Sequence, residues 1–282
     1  MCGFVCILND QQLNSDSFAS ITKLLEHRGP DDEGNWIDVK RSLFLGHRRL
    51  SVLDTSNLAR QPMESFNKRY VIVFNGEIYN HLNVRDEITK KTNSSFLWKS
   101  SSDTETLLES ISLFGIEETL KKIVGMFSFV IFDKKENKLI FSRDRFGEKP
   151  LYYGICNNIL FIASDLVTLN AYNGIEKNVD PSSLYYLLQY NYIPSHMSIF
   201  KNIKKLPAST YSEINIEKFK SQGNSAIKIK KYWSISNKTI FSTAKNDIDH
   251  EKNLDILLNN SVRSQMISDV PIGAFLSGGI DS

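Results

Sequence analysis

MCGFVCIL, residues 1–8, opens the chain, and its reading decides the fold. Residues 3–8 are a short apolar run closed by the polar Asn9 and Asp10, the pattern of a strand. Comparable β-rich runs follow: SLFLGH at 42–47, YVIVFN at 70–75, FSFVIFD at 127–133, KLIFSRD at 138–144 and ILFIAS at 159–164. Helical periodicity interleaves at 16–27, with Phe18, Ile21, Leu24 and Leu25 on one face, and at 104–114, with Leu107, Leu108, Ile111 and Phe114 on one face. This predicts an α+β fold of packed sheets flanked by helices. From 130 to 164, strands and polar turns alternate as in an antiparallel meander.

The chain has 282 residues, 41% hydrophobic and 23% charged, enough for one or two domains with a sizeable core. Its 34 basic and 32 acidic side chains are spread evenly, so neither a nucleic-acid nor a membrane footprint stands out. Cys2, Cys6 and Cys156 make neither an even disulfide framework nor a metal cluster, so no metal site is expected and a reducing cytoplasm is. The first residues lack a basic region and a long apolar stretch, which does not fit a signal peptide. The Asn93-Ser94-Ser95 sequon therefore carries little weight.

Composition divides the chain. Residues 1–210 read as the main domain, and 211–245 as a connection, because 213–231 is rich in Lys, Ser, Gln and Asn with little apolar periodicity. Residues 246–282 read as the start of a second domain. There, Leu254, Leu257, Leu258, Val262 and Met266 mark a helix, and residues 270–276 an apolar strand that leads into Ser277-Gly278-Gly279-Ile280-Asp281-Ser282. One helix and one strand cannot bury their own apolar faces, so the sequence reads as part of a longer protein.

Removal of Met1 would leave Cys2 with both a thiol and a free α-amine. An α-amine titrates at about 7.7–8.0, so it can take the thiol proton and return it to a leaving amine. Taken alone, a cysteine at this position is more often incidental. Two polar clusters at strand ends argue otherwise. In the run from Gly46 through His47, Arg48 and Arg49 to Asp54, an arginine fork suits a substrate carboxylate, although a solvated arginine pair reads equally well. In the run from Phe74 to Asn80, the Asn75 amide and the Gly76 N–H can form an oxyanion hole, whereas Asn-Gly also favours a hairpin turn. Asp103 stands where a helix begins, as an N-cap or as a partner for a substrate ammonium.

Cys2-Gly3, Arg28-Gly29-Pro30-Asp31, the 47–51 and 75–81 clusters and Ser102-Asp103-Thr104-Glu105 together closely resemble class II glutamine amidotransferases. The 143–153 run RDRFGEKPLYY and the terminal LSGGIDS narrow the resemblance to the glutamine-hydrolysing asparagine synthetase family. It covers nearly the whole chain and is weakest at 212–250.

The resemblance implies an N-terminal-nucleophile fold, with two antiparallel sheets between helices, followed by the start of an α/β ATP-pyrophosphatase-type domain. It makes Cys2 the nucleophile, gives Asn75 and Gly76 the oxyanion, and gives Arg49 and Asp103 the α-carboxylate and α-ammonium of glutamine. Leu50, Ser51, Val52, Leu53 and Glu77 would line the pocket, and the stretch after Arg28 would cover it. Leu276, Ser277, Gly278, Gly279, Asp281 and Ser282 would begin a nucleotide site, since backbone N–H groups at a helix N-terminus suit pyrophosphate. In the full-length enzyme, ATP and magnesium would activate aspartate to an acyl-adenylate, which ammonia converts to asparagine. The glutaminase step needs no cofactor, and a homodimer is what the resemblance suggests. Ser209 stands where the family usually has glycine, and Asp165 where glutamate is commoner.

Other readings stay open. A relative that amidates another carboxylate, such as a surface-polysaccharide sugar, would share every residue named. Phosphosugar amidotransferases fit less well, because the terminal motif suggests adenylation. An inactive glutamine-binding or interaction module is the reading from another class.

Overall fold

The computed structural model describes residues 1–92, 96–235 and 247–280; the 93–95 sequon lies outside them. Two six-stranded antiparallel sheets form the body. The first is built from β1 (Gly3–Leu8), β2 (Asp32–Asp38), β3 (Leu43–Arg49), β8 (Tyr152–Cys156), β9 (Ile159–Ala163) and β10 (Ile203–Lys205), in the order β10-β8-β9-β1-β3-β2. The second holds β4 (Met63–Glu64), β5 (Tyr70–Ile78), β6 (Gly125–Asp133), β7 (Lys138–Arg143), β11 (Thr210–Asn215) and β12 (Ile229–Lys231), in the order β12-β11-β7-β6-β5-β4.

Alternation along the strands produces the layers. Phe4, Cys6 and Leu8 of β1 face Val71 and Val73 of β5 and Val130 and Phe132 of β6 in the core between the sheets. The opposite face of β1, Val5 and Ile7, packs on Phe18, Ile21 and Leu25 of the helix α1 (Ser15–Lys23) and the turn after it. Ile72, Phe74 and Ile131 turn outward from the second sheet onto α2 (His81–Lys91), α3 (Asp103–Phe114) and α4 (Ile116–Lys122). Helix, sheet, sheet and helix thus stack in the order the sequence predicts, and the strands β1, β3, β5, β6 and β7 are largely buried on both faces because each sheet has a helical layer behind it, whereas the edge strand β2 is half-buried and β12 is exposed.

The structure revises the chain path in three places. The expected meander at 130–164 is two hairpins in different sheets: β6 pairs with β7, β8 pairs with β9, and residues 144–151 cross from one sheet to the other. The crossover is wound around the buried Asp144. Its carboxylate accepts N–H bonds from Phe146 (3.1 Å), Glu148 (2.9 Å), Lys149 (3.0 Å) and Phe127 (3.2 Å). Arg143 clamps the same turn through the carbonyls of Lys149, Leu206 and Gly147.

Residues 213–231, read as an exposed connection, carry the end of β11, helix α6 (Ile216–Gln222) and β12. Ile214, Ile216 and Phe219 are fully buried in the inter-sheet core. Three well-spaced apolar residues are enough to anchor a segment whose other side chains are polar because they face water. Ser209, just before it, has φ +55°, the left-handed conformation that favours glycine. The third revision is at 270–276, which forms no strand and is mostly exposed, since among the described residues no neighbouring strand pairs with it. Helix α7 (Asp247–Ser264), after α5 (Pro181–Tyr190), carries Leu254, Leu257, Leu258 and Val262 of the expected helix, and Met266 lies just past its end. No described helix is long and apolar enough to cross a membrane.

Asp144→Ala would strand the buried N–H groups of Phe127 and Lys149, each costing about 1–3 kcal/mol when left unmade, and would also remove the acceptor of the part-buried N–H groups of Phe146 and Glu148. Urea denaturation should show a loss of about 3 kcal/mol or more with an unchanged m value. A loss under about 1 kcal/mol would show that the crossover does not depend on this carboxylate.

Candidate active site

The strand β1 pairs with β3 so that Gly3 faces Arg48, which brings the preceding Cys2 alongside Arg49 and Leu50. The Cys2 thiol donates toward the Leu50 carbonyl at 3.6 Å, and its sulfur lies 3.4 Å from the Leu50 N–H. Burial pushes the thiol pKa up; the Leu50 N–H, the positive chain terminus and Arg49 oppose this. At rest it is a thiol, and it needs a base beside it to become a nucleophile.

The second sheet supplies the facing wall. Asn75, Gly76 and Glu77 lie within β5, opposite Ser128, Phe127 and Met126 of β6, so Asn-Gly is strand here and not a hairpin turn. A Cβ on Gly76 would stand 2.2 Å from the Met126 carbonyl oxygen, so only glycine allows this pairing. Asn75 is 1% exposed, and its Nδ2 has no hydrogen-bond partner among the described residues. A buried amide donor without an acceptor is costly and marks a place where one is expected to arrive. His47 Nε2 donates to the Phe74 carbonyl at 3.0 Å and so ties β3 to β5 beside this amide. Burial lowers the His47 pKa to about 4, so the ring is neutral at physiological pH.

Neither arginine of the pair is solvated. Arg48 is spent on the Gly29 carbonyl (2.9 Å) and Glu33 (2.7 Å), holding the segment after Arg28 in place. A Cβ on Gly29 would meet the Arg48 carbonyl oxygen at 2.4 Å, which explains the glycine in that turn. Arg49 points to the other side and donates to the carbonyls of Ser56 (2.9 Å), Leu53 (3.0 Å) and Asp54. These bonds fix the plane of the guanidinium and leave it donors to spare.

Asp103 is the first residue of α3 but not its cap: Ser102 accepts from the Glu105 N–H at 3.2 Å and takes that role. The Asp103 carboxylate instead accepts from the Ile78 N–H at 2.8 Å. Burial raises its pKa to about 7, the Ile78 bond opposes the rise and the neighbouring Glu77 adds to it.

A cavity of about 130 Å³ joins these groups: Cys2, Arg49, Leu50, Val52, Leu53, Asn75, Gly76, Glu77 and Asp103 all line it. Ser51 does not, since its N–H binds the Asp31 carboxylate at 2.8 Å and pins the segment after Arg28. The lining also includes Gln61, Thr104, Met126 and Lys149, which sequence reasoning missed. Gln61 accepts from the Phe74 N–H at 2.6 Å and reaches Thr104 Oγ1 at 3.4 Å, knitting β5 to α3. No sequence signal marks it. Lys149 was within a recognisable motif, yet only the crossover shows that it turns inward. Its Nζ lies 3.1 Å from Met1 Sδ, and burial lowers its pKa while Glu77 opposes this.

Leu276, Ser277, Gly278 and Gly279 are exposed and do not line the cavity, and Asp281 and Ser282 lie outside the described residues.

Comparison with known proteins agrees with this geometry. Residues 1–233 match the family model described as a glutamine amidotransferase domain, and residues 253–282 match that of asparagine synthase. The chain is 33% identical over 294 residues to "Asparagine synthetase [glutamine-hydrolyzing] 1" of Bacillus subtilis, covering 100% of itself and 43% of that protein. It is 35% identical over 303 residues to "Putative asparagine synthetase [glutamine-hydrolyzing] 2" of Methanocaldococcus jannaschii, covering 55% of it. The chain thus spans about half the length of these curated relatives. Among solved structures it superimposes on the glutamine phosphoribosylpyrophosphate amidotransferase of B. subtilis with a TM-score of 0.58 at 16% identity, over 83% of this chain and 50% of that one. This likeness speaks for the fold alone, of the N-terminal-nucleophile type.

The raised Asp103 pKa has a consequence for stability. Its folded value of about 7 lies above the ordinary carboxylate value of 3.8. The stability it contributes is therefore full below pH 4 and is lost as pH rises through about 7. Asp103→Asn removes a group that must ionise in an apolar site. Between pH 5 and 8 the variant should lose less stability than the parent in chemical denaturation. Parallel pH profiles would contradict the assigned environment.

Proposed function

We propose, from the premise that this chain belongs to the glutamine amidotransferase family, that it hydrolyses the side-chain amide of glutamine at Cys2. The observation that carries this is the unpartnered, buried Nδ2 of Asn75 in the same cavity as the Cys2 thiol. Arg49 and Asp103 in that cavity offer opposite charges to an amino-acid backbone. The zwitterionic end of glutamine sits between them, its carboxylate on Arg49 and its ammonium on Asp103, and the side-chain amide is left facing Cys2.

With Met1 attached, the α-amine belongs to Met1, whose side chain also lines the cavity. Removing Met1 clears that space and frees the amine on Cys2. The amine then accepts the thiol proton as sulfur attacks the amide carbon. The oxygen takes up the negative charge and is stabilised by Asn75 Nδ2 and the Gly76 N–H. The amine next donates its proton to the departing nitrogen, which leaves as ammonia, and a thioester remains on Cys2. Water, deprotonated by the same amine, attacks the thioester and releases glutamate. His47, neutral and bonded to a carbonyl, holds the wall in place and moves no proton.

We further propose that the ammonia goes to amidation of aspartate, so that the overall reaction is asparagine synthesis with ATP and Mg²⁺. The names of the relatives and the match at 253–282 support this. Ser277, Gly278 and Gly279 suit an anion by composition, and all three are exposed.

The test is glutamate release from glutamine by chain whose Met1 is removed. Cys2→Ala and Met1-retaining chain should be inactive. Asn75→Ala should lower kcat about 10²- to 10³-fold, the usual loss for one oxyanion donor. Arg49→Lys should raise KM more than it lowers kcat. Because the ammonium binds ionised Asp103, kcat/KM should rise as pH climbs through about 7, and Asp103→Asn should flatten that limb. Activity that survives Cys2→Ala would refute the assignment.

A further inference from the structure

The loop after Arg49 forms one side of the glutamine cavity through Leu50, Val52 and Leu53. Its pivot is Asp54, buried and held at φ +53°, a conformation unfavourable for a residue with a side chain. Several bonds fix it there. Its carbonyl takes one bond from Arg49, and its carboxylate takes others from Ser56 N (3.0 Å), Ser56 Oγ (2.5 Å) and Ser101 N (2.7 Å). The Asp54 N–H is secured from farther away in the sequence. It donates to Asp269 Oδ2 at 2.7 Å, while the Asp269 N–H donates to the Val52 carbonyl at 3.0 Å.

This reciprocal pair spans 215 residues of sequence and joins backbone to backbone around a carboxylate. Asp269 itself is set by a local turn, in which Ser268 Oγ bridges the N–H (3.1 Å) and carbonyl (2.9 Å) of Val270. Eight residues farther on is Ser277, the first residue of the Ser-Gly-Gly motif.

We propose that Asp269 is a positioning residue for the glutamine site. It clamps the residue 52–54 loop, so that the segment carrying the Ser-Gly-Gly motif and the pocket holding glutamine share one mechanical joint. The inference deepens the glutaminase reading and rests on it for its kinetic consequence. A displacement of Asp269 releases the Asp54 N–H and the Val52 carbonyl together, and both sit on the loop whose carbonyls orient Arg49. The effect falls on substrate binding. The Cys2 thiol is held by Leu50, which directly follows β3 and lies outside the clamped residues 52–54, and Asn75 is held within β5, so the chemical step is spared.

The test compares Asp269→Ala, Asp269→Asn and, as a control in the same exposed segment, Phe275→Ala in the full chain. Asparagine keeps an acceptor for the Asp54 N–H, and alanine does not. Asp269→Ala should raise KM for glutamine about tenfold or more, the lower end for loss of a hydrogen bond to a charged group. Its kcat should stay within about twofold, and Asp269→Asn should restore most of the affinity. Hydrogen exchange at the Asp54 amide reads the clamp without any activity, and should be faster in Asp269→Ala than in the parent and in Phe275→Ala. An unchanged KM in an active Asp269→Ala chain, an equal loss in Asn and Ala, or unchanged Asp54 exchange overturns the proposal. If the parent chain releases no glutamate, the glutaminase reading fails, and the exchange measurement still decides whether the clamp exists.

Discussion

The molecule depends on the antiparallel register of β1 with β3. Pairing Gly3 with Arg48 fixes which side chains share a face with Cys2 and places its sulfur between the N–H and the carbonyl of Leu50. A slip by one residue would turn Phe4, Cys6 and Leu8 out of the inter-sheet core and carry Cys2 away from the facing wall. Burial of those side chains against Val71, Val73, Val130 and Phe132 therefore also sets the geometry of the chemistry. His47 adds a cross-link from the first sheet to the Phe74 carbonyl, one residue before Asn75.

The cavity carries charge that its own residues do not fully neutralise. Asp103 is driven toward protonation and Lys149 toward deprotonation by the same cause, removal from water. Asn75 has an idle donor. These are costs that a zwitterionic substrate with a polar side chain, as proposed above, would relieve together: its ammonium would stabilise the Asp103 carboxylate, its carboxylate would meet Arg49, and its amide oxygen would meet Asn75. An apolar ligand would relieve none of them. Selectivity thus follows from unmet electrostatic demand more than from shape.

Much of this was legible in the sequence because it was written in periodicity. The runs at 3–8, 42–47, 70–75, 127–133, 138–144 and 159–164 fall in strands to within a residue, and the helix near 104–114 lies where its apolar face predicts, whereas the one read at 16–27 spans Ser15–Lys23 and leaves Leu24 and Leu25 in the turn after it. The crossover at 144–151 was not legible, because a turn between two strands looks alike whether they pair with each other or with different sheets. Residues 213–231 were misread since a strand and a short helix with one buried face can be polar in composition. Asp103 was placed at the right helix terminus, yet the cap proved to be Ser102, and only the backbone could separate them. Gln61 and Met126 reach the cavity through tertiary packing and carry no local pattern, and the 143–153 motif that contains Lys149 does not show that this side chain turns inward.

The role proposed for Cys2, freed of Met1, is that of nucleophile in a cavity that takes glutamine. Its most direct test is peptide-resolved mass spectrometry after treating Met1-processed chain with an electrophilic glutamine analogue bearing a diazoketone in place of the side-chain amide. One adduct is expected, on Cys2, suppressed by glutamine and absent from chain that retains Met1, with the buried Cys6 untouched. Labelling of Cys156 with Cys2 left free, or equal labelling whether or not Met1 is removed, would contradict it.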